Sequence, residues 1–299
     1  MTEFVIFGYN IPYTLSPTIH NAGFPAVGLN YRYSIRDVAE LDVEETTQFL
    51  ADKSFGGASV TLPHKLAIIP FLDSLSAAAR LIGAVNTIVV KPDPSRKKSH
   101  LLLGDNTDYT GIKDCAAEYL VQKYNDPTLA NSSALVIGAG GSARAAIYAM
   151  SALKAKVVFL YNRTRSTAEK LEADFAAVVP IIVIDSLDPK SWNIPETFLD
   201  SLPVKVIVGN VPGDALSDTQ VPDGLFTKDS PGVLVEMAYK PPETALIRRA
   251  SSANWNIVRG TDVLLAQGYQ QFRLWTGIEP PKQIMIDALN AEVERRKQL

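Results

Sequence analysis

The chain has 299 residues, 46% hydrophobic and 20% charged, and its 18 glycines and 19 prolines are close to the usual globular share. Disorder, a collagen-like repeat and a small disulfide-stapled scaffold are excluded, and the length suits two ordinary domains or one large α/β domain. The 29 Lys and Arg against 32 Asp and Glu leave a formal charge of −3, too balanced to condense onto a polyphosphate, so nucleic acid is not an expected partner. The single cysteine, Cys115, cannot form an internal disulfide, and no Cys/His cluster has zinc-ligand spacing; a reduced compartment and no metal are expected. The N-terminus enters an apolar strand at once, and no apolar run approaches the roughly 20 residues of a bilayer span, which predicts a soluble, cytoplasmic chain with no membrane partner.

In chain order, Phe4 to Phe7 predicts a strand, Ser16 to Val27 a helix, Tyr31 to Val38 a strand and Leu41 to Lys53 a helix. Ala58 to Leu62 predicts a strand with Pro63 in the first turn of a following helix, and Ala84 to Val90 and Leu101 to Leu103 two more strands. Strands spaced by helical patterns imply parallel crossovers, whereas the basic stretch Pro92 to His100 reads as a hairpin loop with a solvated charge run. After a helix from Tyr109 to about Tyr124 and the linker Asn125 to Ser133, strands and helices alternate again. The segments are Ala134 to Ile137, Ala143 to Leu153, Lys156 to Tyr161, Ser166 to Ala177, Ile181 to Ile184, Val204 to Val208 and Val233 to Glu236, the rhythm of an open doubly wound sheet. Beyond Gly260, Val263 to Trp275 and Pro281 to Arg296 predict two helices, and no internal repeat is visible.

The strongest local signal follows the strand Ala134 to Ile137. Gly138, Ala139, Gly140, Gly141, Ser142 and Ala143 match G-x-G-x-x-A, with Gly138 for the tight turn, Gly140 for backbone approach to a pyrophosphate and Ala143 for close helix packing. The flanking strand and helix supply the context that dinucleotide binding requires. The next strand ends in Asn162, Arg163, Thr164 and Arg165, where an NAD site would place an acidic residue. A neutral amide with two arginines predicts a 2′-phosphate, hence NADP, and Ser166 or Thr167 can cap the following helix.

Three polar clusters lie at the ends of predicted strands, where open α/β sheets bind ligands. They are Thr14 with Ser16, Thr61 with Lys65, and Asp105 to Asp108. Hydroxyls, amides, one Lys and one Asp suit a small polyhydroxylated acid: Lys beside Asp can move the proton that a reduced ketone needs, and Thr14 and Ser16 can donate to a carboxylate. His20 reads as a helix packing residue and His64 as a turn residue.

These residues together resemble the shikimate/quinate dehydrogenase family. The resemblance is carried by Lys65 in Val60 to Lys65, Asn86 in Gly83 to Thr87, Asp108 in Asp105 to Asp108, and Gln267 in Leu264 to Gly268, with Glu236 to Pro241 and Phe272 to Gly277 extending it along the chain. It is most similar to the dehydrogenase domain that closes the fungal pentafunctional aromatic-pathway polypeptide, which leaves a stand-alone chain and a module of a longer polypeptide both open. The resemblance implies an α/β protein of two domains with a cleft between them. Residues 1–108 plus 262–299 would form the substrate domain, and residues 109–261 a Rossmann-like NADP domain. It implies NADP-linked interconversion of 3-dehydroshikimate and shikimate, with Lys65 and Asp108 as the catalytic pair and Thr61, Ser16, Asn86, Tyr239 and Gln267 as substrate contacts. Fold-mates that act on folates or tRNA-linked substrates would need groups other than Lys65, Asn86, Asp108 and Gln267.

One loop departs from the family pattern. Tyr13 stands where the family carries His, Thr14 where it carries the first Ser, and Ser59 where many members carry Asn. Three readings follow: a shikimate dehydrogenase, a dehydrogenase preferring quinate, and a catalytically silent sensor of the same ligands. Retention of Lys65 and Asp108 favours an enzyme, because a sensor has no use for a proton-transfer pair.

Overall fold

Two six-stranded sheets carry the fold of the computed structural model, which describes residues 1–201 and 203–298. They belong to two units: Met1–Thr107 with Gln267–Leu299 form the first, Asp108–Ala266 the second. Among the described residues no helix is long and apolar enough to cross a membrane.

The first unit opens with β1 (Thr2–Gly8), α1 (Ser16–Ala26), β2 (Tyr31–Asp37), α2 (Val43–Leu50) and β3 (Phe55–Val60). After a single 3₁₀ turn (Ile69–Phe71) come β4 (Ser74–Leu75), α3 (Ala77–Ile82), β5 (Thr87–Lys91) and β6 (Leu101–Asp105). The sheet order is β2-β1-β3-β5-β6-β4. β1 lies parallel to β2 and β3, as the alternating pattern predicts, and β5 and β6 form the expected hairpin. The sheet is nevertheless mixed, because β5 runs antiparallel to β3.

Three local expectations are corrected. Helix α2 starts at Val43 rather than Leu41, because the Asp42 side chain accepts from Glu45 N–H and so sets the N-cap. Pro63 does not open a helix: the chain makes consecutive turns, with His64 N–H on Thr61 O (2.9 Å) and Ile68 N–H on His64 O (3.0 Å), before the 3₁₀ turn. β5 begins at Thr87 and not at Ala84, since Ala84 and Val85 lie in the turn that follows α3.

The second unit contains α4 (Asp108–Tyr124), β7 (Ser133–Ile137), α5 (Gly141–Ala152), β8 (Val158–Tyr161), α6 (Arg165–Phe175), β9 (Ile181–Ile184), β10 (Val204–Gly209), β11 (Val233–Glu236), α7 (Ala245–Ser252) and β12 (Asn256–Val258). Its sheet is parallel throughout, in the order β12-β11-β10-β7-β8-β9. That is the doubly wound arrangement, with the order reversing at β7. Both faces are buried, so the strands alternate between two cores. Val136, Leu160, Val208 and Val235 face one core with α4 to α6, and Leu135, Phe159, Ile207 and Leu234 face the other with α7 and Trp255.

Helix α8 (Gly260–Thr276) runs across the boundary between the units, and α9 (Lys282–Lys297) completes the first. Phe272 and Trp275 of α8 enter an aromatic cluster with Phe4, Phe24 and Tyr33. The Trp275 indole N–H also bonds Ile88 O (3.0 Å), tying α8 to β5.

Candidate active site

In the first unit, the C-terminal end of β3, the start of β5, the segment after β6 and α8 bring amides and hydroxyls together. Asn86 Oδ1 accepts from Thr107 N–H (2.6 Å) and from the Thr87 hydroxyl (2.7 Å), while its Nδ2 donates to Thr107 Oγ1 (3.0 Å) and Gln267 Oε1 (3.4 Å). Asn86 and Gln267 are therefore held by shared partners, and all four residues are buried. Lys65, 7% exposed, joins this group through the backbone: Val85 N–H donates to Lys65 O at 2.8 Å, one residue before Asn86. Thr61 is half-buried at the head of the same turn, its N–H on Phe7 O (2.8 Å).

Thr14 and Ser16 lie together where the loop after β1 meets α1, with Thr14 Oγ1 3.5 Å from both Ser16 N and Ser16 Oγ. Asp108 and Tyr239 belong to the second unit; Asp108 is the first residue of α4 and Tyr239 follows β11.

Tyr33 and Gln271, both buried, extend the cluster beyond what the sequence singled out, and Ser59, noted there as a departure from the family pattern, joins them. Gln271 Nε2 donates to Thr87 Oγ1 (3.0 Å), its Oε1 accepts from the Ser59 hydroxyl (3.1 Å), and the Tyr33 hydroxyl donates to Ser59 Oγ (2.6 Å). Burial drives the Tyr33 phenol well above its ordinary range, so it serves as a neutral donor. The available signal for Gln271 was its spacing: four residues after Gln267 on a helix, it shares that residue's face. His20 stacks on Tyr33 with centroids 4.9 Å apart, and burial lowers its pKa to about 3, so it is neutral packing. His64 is committed to Val38 O at 2.7 Å.

In the second unit, the turn from β7 to α5 has the shape that its glycines require. Gly138 has φ +107°, and a Cβ there would lie 2.9 Å from Asn210 O. Gly140 is the extended N-cap of α5; a Cβ on it would meet nothing within 4 Å, and no side chain caps the helix. An uncapped helix start with open space beside Gly140 fits a pyrophosphate. Ala139, Gly141, Ser142 and the buried Ala143 complete the turn and first helical residues. Near this turn Asn210 Oδ1 is buried without a hydrogen-bond partner, an acceptor that would take an N–H or O–H donor and not a phosphate oxygen.

After β8, Thr164 stands at the N-cap position of α6 without a side-chain cap bond, so the helix starts at Arg165 and neither Ser166 nor Thr167 is the cap. Asn162 Nδ2 donates to Thr164 O (2.9 Å). Arg165 is bound to Glu169 (2.7 Å) and to Asp185, whereas Arg163 is exposed and has no ion pair among the described residues. Among the described residues, no group of three or more His, Cys, Asp or Glu could hold a metal ion.

Glu236, 1% exposed, accepts from the Thr244 hydroxyl (2.8 Å) and Ala238 N–H (3.1 Å), and so pins both ends of the segment carrying Tyr239. Burial outweighs these bonds and raises its pKa to about 7. The folded state therefore keeps this proton to higher pH than the unfolded chain does. The group costs nothing below pH 4.5, and its ionisation destabilises the fold progressively up to about pH 7, by on the order of 3 kcal/mol. Glu236→Gln is expected to remove this part of the pH dependence. Urea midpoints at pH 5 and pH 8 check it, and the idea fails if wild type and variant lose the same stability between them.

Residues 6–88 match the shikimate dehydrogenase substrate binding domain, 119–189 match shikimate / quinate 5-dehydrogenase, and 260–289 match the shikimate 5′-dehydrogenase C-terminal domain. The chain is 41% identical over 281 residues to the pentafunctional AROM polypeptide of Malassezia globosa, covering 93% of this chain and 17% of that one. It thus spans about a sixth of the length of this relative. Shikimate dehydrogenase from Aquifex aeolicus is 31% identical with 97% of each chain covered and a TM-score of 0.76. A shikimate dehydrogenase solved in complex with NADP⁺ is 28% identical, with 98% of this chain and 96% of that chain covered and a TM-score of 0.76.

Proposed function

Since the chain belongs to the shikimate dehydrogenase family, we propose that it catalyses the reversible, NADP-linked interconversion of 3-dehydroshikimate and shikimate. The observation that carries this reading is Lys65, buried and tied through Val85 to the Asn86–Thr107–Gln267 cluster. A proton donor beside fixed amides and hydroxyls is what a ketone flanked by ring hydroxyls needs. The match to about a sixth of a pentafunctional relative is also what a dehydrogenase module of a longer polypeptide would give.

Bound at the β7–α5 turn, the nicotinamide cofactor supplies or accepts the hydride. The chain's own residues do the rest. Lys65 delivers a proton to the oxygen that becomes a hydroxyl and takes it back in the reverse direction, and Asp108 is the second member of the pair. Asn86 and Gln267 orient the ring hydroxyls; their mutual bonds hold both amides in one rotamer before substrate arrives, which lowers the ordering cost of binding. Thr61 and Tyr239 are further substrate contacts. Thr14 and Ser16 donate to the carboxylate without adding charge. The α5 N-terminus receives the pyrophosphate and Arg163 the 2′-phosphate.

Quinate is the competing substrate. It carries an extra hydroxyl on a tetrahedral C1, next to the carboxylate. Thr14 adds a methyl at that end, narrowing it, and an unpaired buried hydroxyl costs about 1 to 3 kcal/mol. Shikimate is therefore expected to have the higher kcat/KM, by several-fold or more, and Thr14→Ser to improve shikimate turnover. Reduction of NADP with the two compounds side by side is the test. A preference for quinate would make Tyr13 and Thr14 its specificity residues, and tight binding without turnover of either compound would overturn the enzymatic reading in favour of a sensor.

A further inference from the structure

Between β1 and α1, residues 9–15 form the loop that carries Thr14 and leads to Ser16. Bonds within it include Thr14 N–H on Ile11 O (3.0 Å) and the two 3.5 Å contacts between Thr14 and Ser16. Leu15, the N-cap of α1, contributes no side-chain cap. Further restraint comes from other elements, beginning with Tyr9 N–H on Leu62 O (3.1 Å). At the entry, the Asp37 carboxylate at the end of β2 accepts from Asn10 N–H (2.8 Å) and Ile11 N–H (3.1 Å). At the exit, the Arg296 guanidinium near the end of α9 donates through Nη1 to Tyr13 O.

Arg296 is itself held. Its Nε donates to Glu292 Oε1 (2.7 Å), and Arg295 takes both oxygens of the same carboxylate at 2.7 Å each. Two arginines on one carboxylate keep Glu292 ionised, with its pKa lowered to about 2. The grip on Tyr13 O matters because a peptide unit is a rigid plane. Its carbonyl is gripped by Arg296, and its N–H, that of Thr14, is bonded to Ile11 O on the other side. Fixing both ends fixes the rotation of the plane and hence the direction in which the Thr14 side chain leaves the backbone.

We propose that Arg296, oriented by Glu292, is a positioning residue for the carboxylate end of the substrate site, acting from the C-terminal helix through the Tyr13–Thr14 peptide. This rests on the proposed function for the role of Thr14 and Ser16, but the clamp itself does not. Substrate should be felt in ground-state binding and the reacting end spared. Arg296→Met is expected to raise KM for shikimate about 5- to 10-fold, with kcat and KM for NADP within about twofold of wild type. Arg296→Lys keeps the charge but has no planar fork to hold Glu292 and Tyr13 O at once, so it should share the defect.

Two measurements test this. The first is the KM-against-kcat split for Arg296→Met, Arg296→Lys and Glu292→Gln; a merely structural role would lower thermal stability and the fraction of active enzyme without moving KM. The second is amide hydrogen exchange of the full chain without substrate. Exchange across Asn10 to Leu15 is expected to be about tenfold faster in Arg296→Met, with β1 and α1 unchanged. Unchanged exchange in that loop overturns the clamp, whatever the enzyme does. Unchanged KM in active variants overturns its link to substrate. A wild-type protein that turns over neither shikimate nor quinate, yet shows the exchange change, would overturn the proposed function and leave the clamp standing.

Discussion

Lys65→Ala is expected to lower kcat by about two orders of magnitude or more while KM for NADP stays within about twofold. Hydride addition to a ketone leaves an alkoxide, and the rate depends on how fast that oxygen acquires a proton. The neighbours of Lys65 in its turn cannot take over. Thr61 offers a hydroxyl, no acid at neutral pH, and the His64 imidazole is bonded to Val38 O at 2.7 Å, which commits its Nε2. The elements proposed to hold the cofactor, β7, α5 and β8, lie in the second unit and Lys65 in the first, so cofactor binding should be spared. Steady-state kinetics in both directions check this. Turnover of Lys65→Ala at the wild-type rate would overturn the assignment and place the proton donor outside this turn.

The second large effect concerns cofactor choice. Arg165 has two carboxylates on its guanidinium, Glu169 and Asp185, so it carries little free positive charge toward an incoming phosphate. Arg163 is left to receive a 2′-phosphate, beside Asn162, whose amide does not repel it. Charge-assisted hydrogen bonds from one guanidinium contribute about 1.5 to 3 kcal/mol, roughly 10- to 150-fold in affinity. NADP should exceed NAD in kcat/KM by a factor in that range, and Arg163→Ala should bring the ratio down toward one by weakening NADP alone. Equal use of the two cofactors by wild type, or an unchanged ratio in the variant, refutes the assignment.

Much of the architecture is legible from residue order alone. The glycine turn after β7 reads correctly because strand, turn and helix are contiguous and each glycine has a separate steric task. Long periodic segments such as α4, α8 and α9 are legible within a few residues. Among the short elements, β9 and β11 are legible from their apolar runs, whereas β4 with two residues, β12 with three and α3 with six carry no clear pattern, and α7, capped by the Thr244 hydroxyl on Ile247 N–H, is not singled out either.

The candidate site divides the same way. Asn86, Gln267 and Lys65 stand in local patterns that resemble a family. Tyr33, Ser59 and Gln271 matter through partners far away in sequence: Tyr33 meets Ser59 across 26 residues, and Ser59 meets Gln271 across 212. Nothing local announces such pairings, because the first joins β2 to β3 across the sheet and the second arises when α8 packs onto it.

The first unit's two stretches of chain, one before and one after the second unit, also bear on how the protein is made. Every residue of Asp108–Ala266 is added, and leaves the ribosome, ahead of Gln267 and the rest of the first unit. The parallel sheet can close while the earlier sheet still lacks Phe272, Trp275 and Gln271. Until those residues emerge, Phe4, Phe24 and Tyr33 lack their aromatic neighbours, and Ser59 and Thr87 lack the amide that joins them. A chain released at Ala266 would hold every residue of the second unit beside a first sheet that lacks Phe272, Trp275 and Gln271. Chaperone demand during synthesis should concentrate on that N-terminal sheet and end once α8 docks.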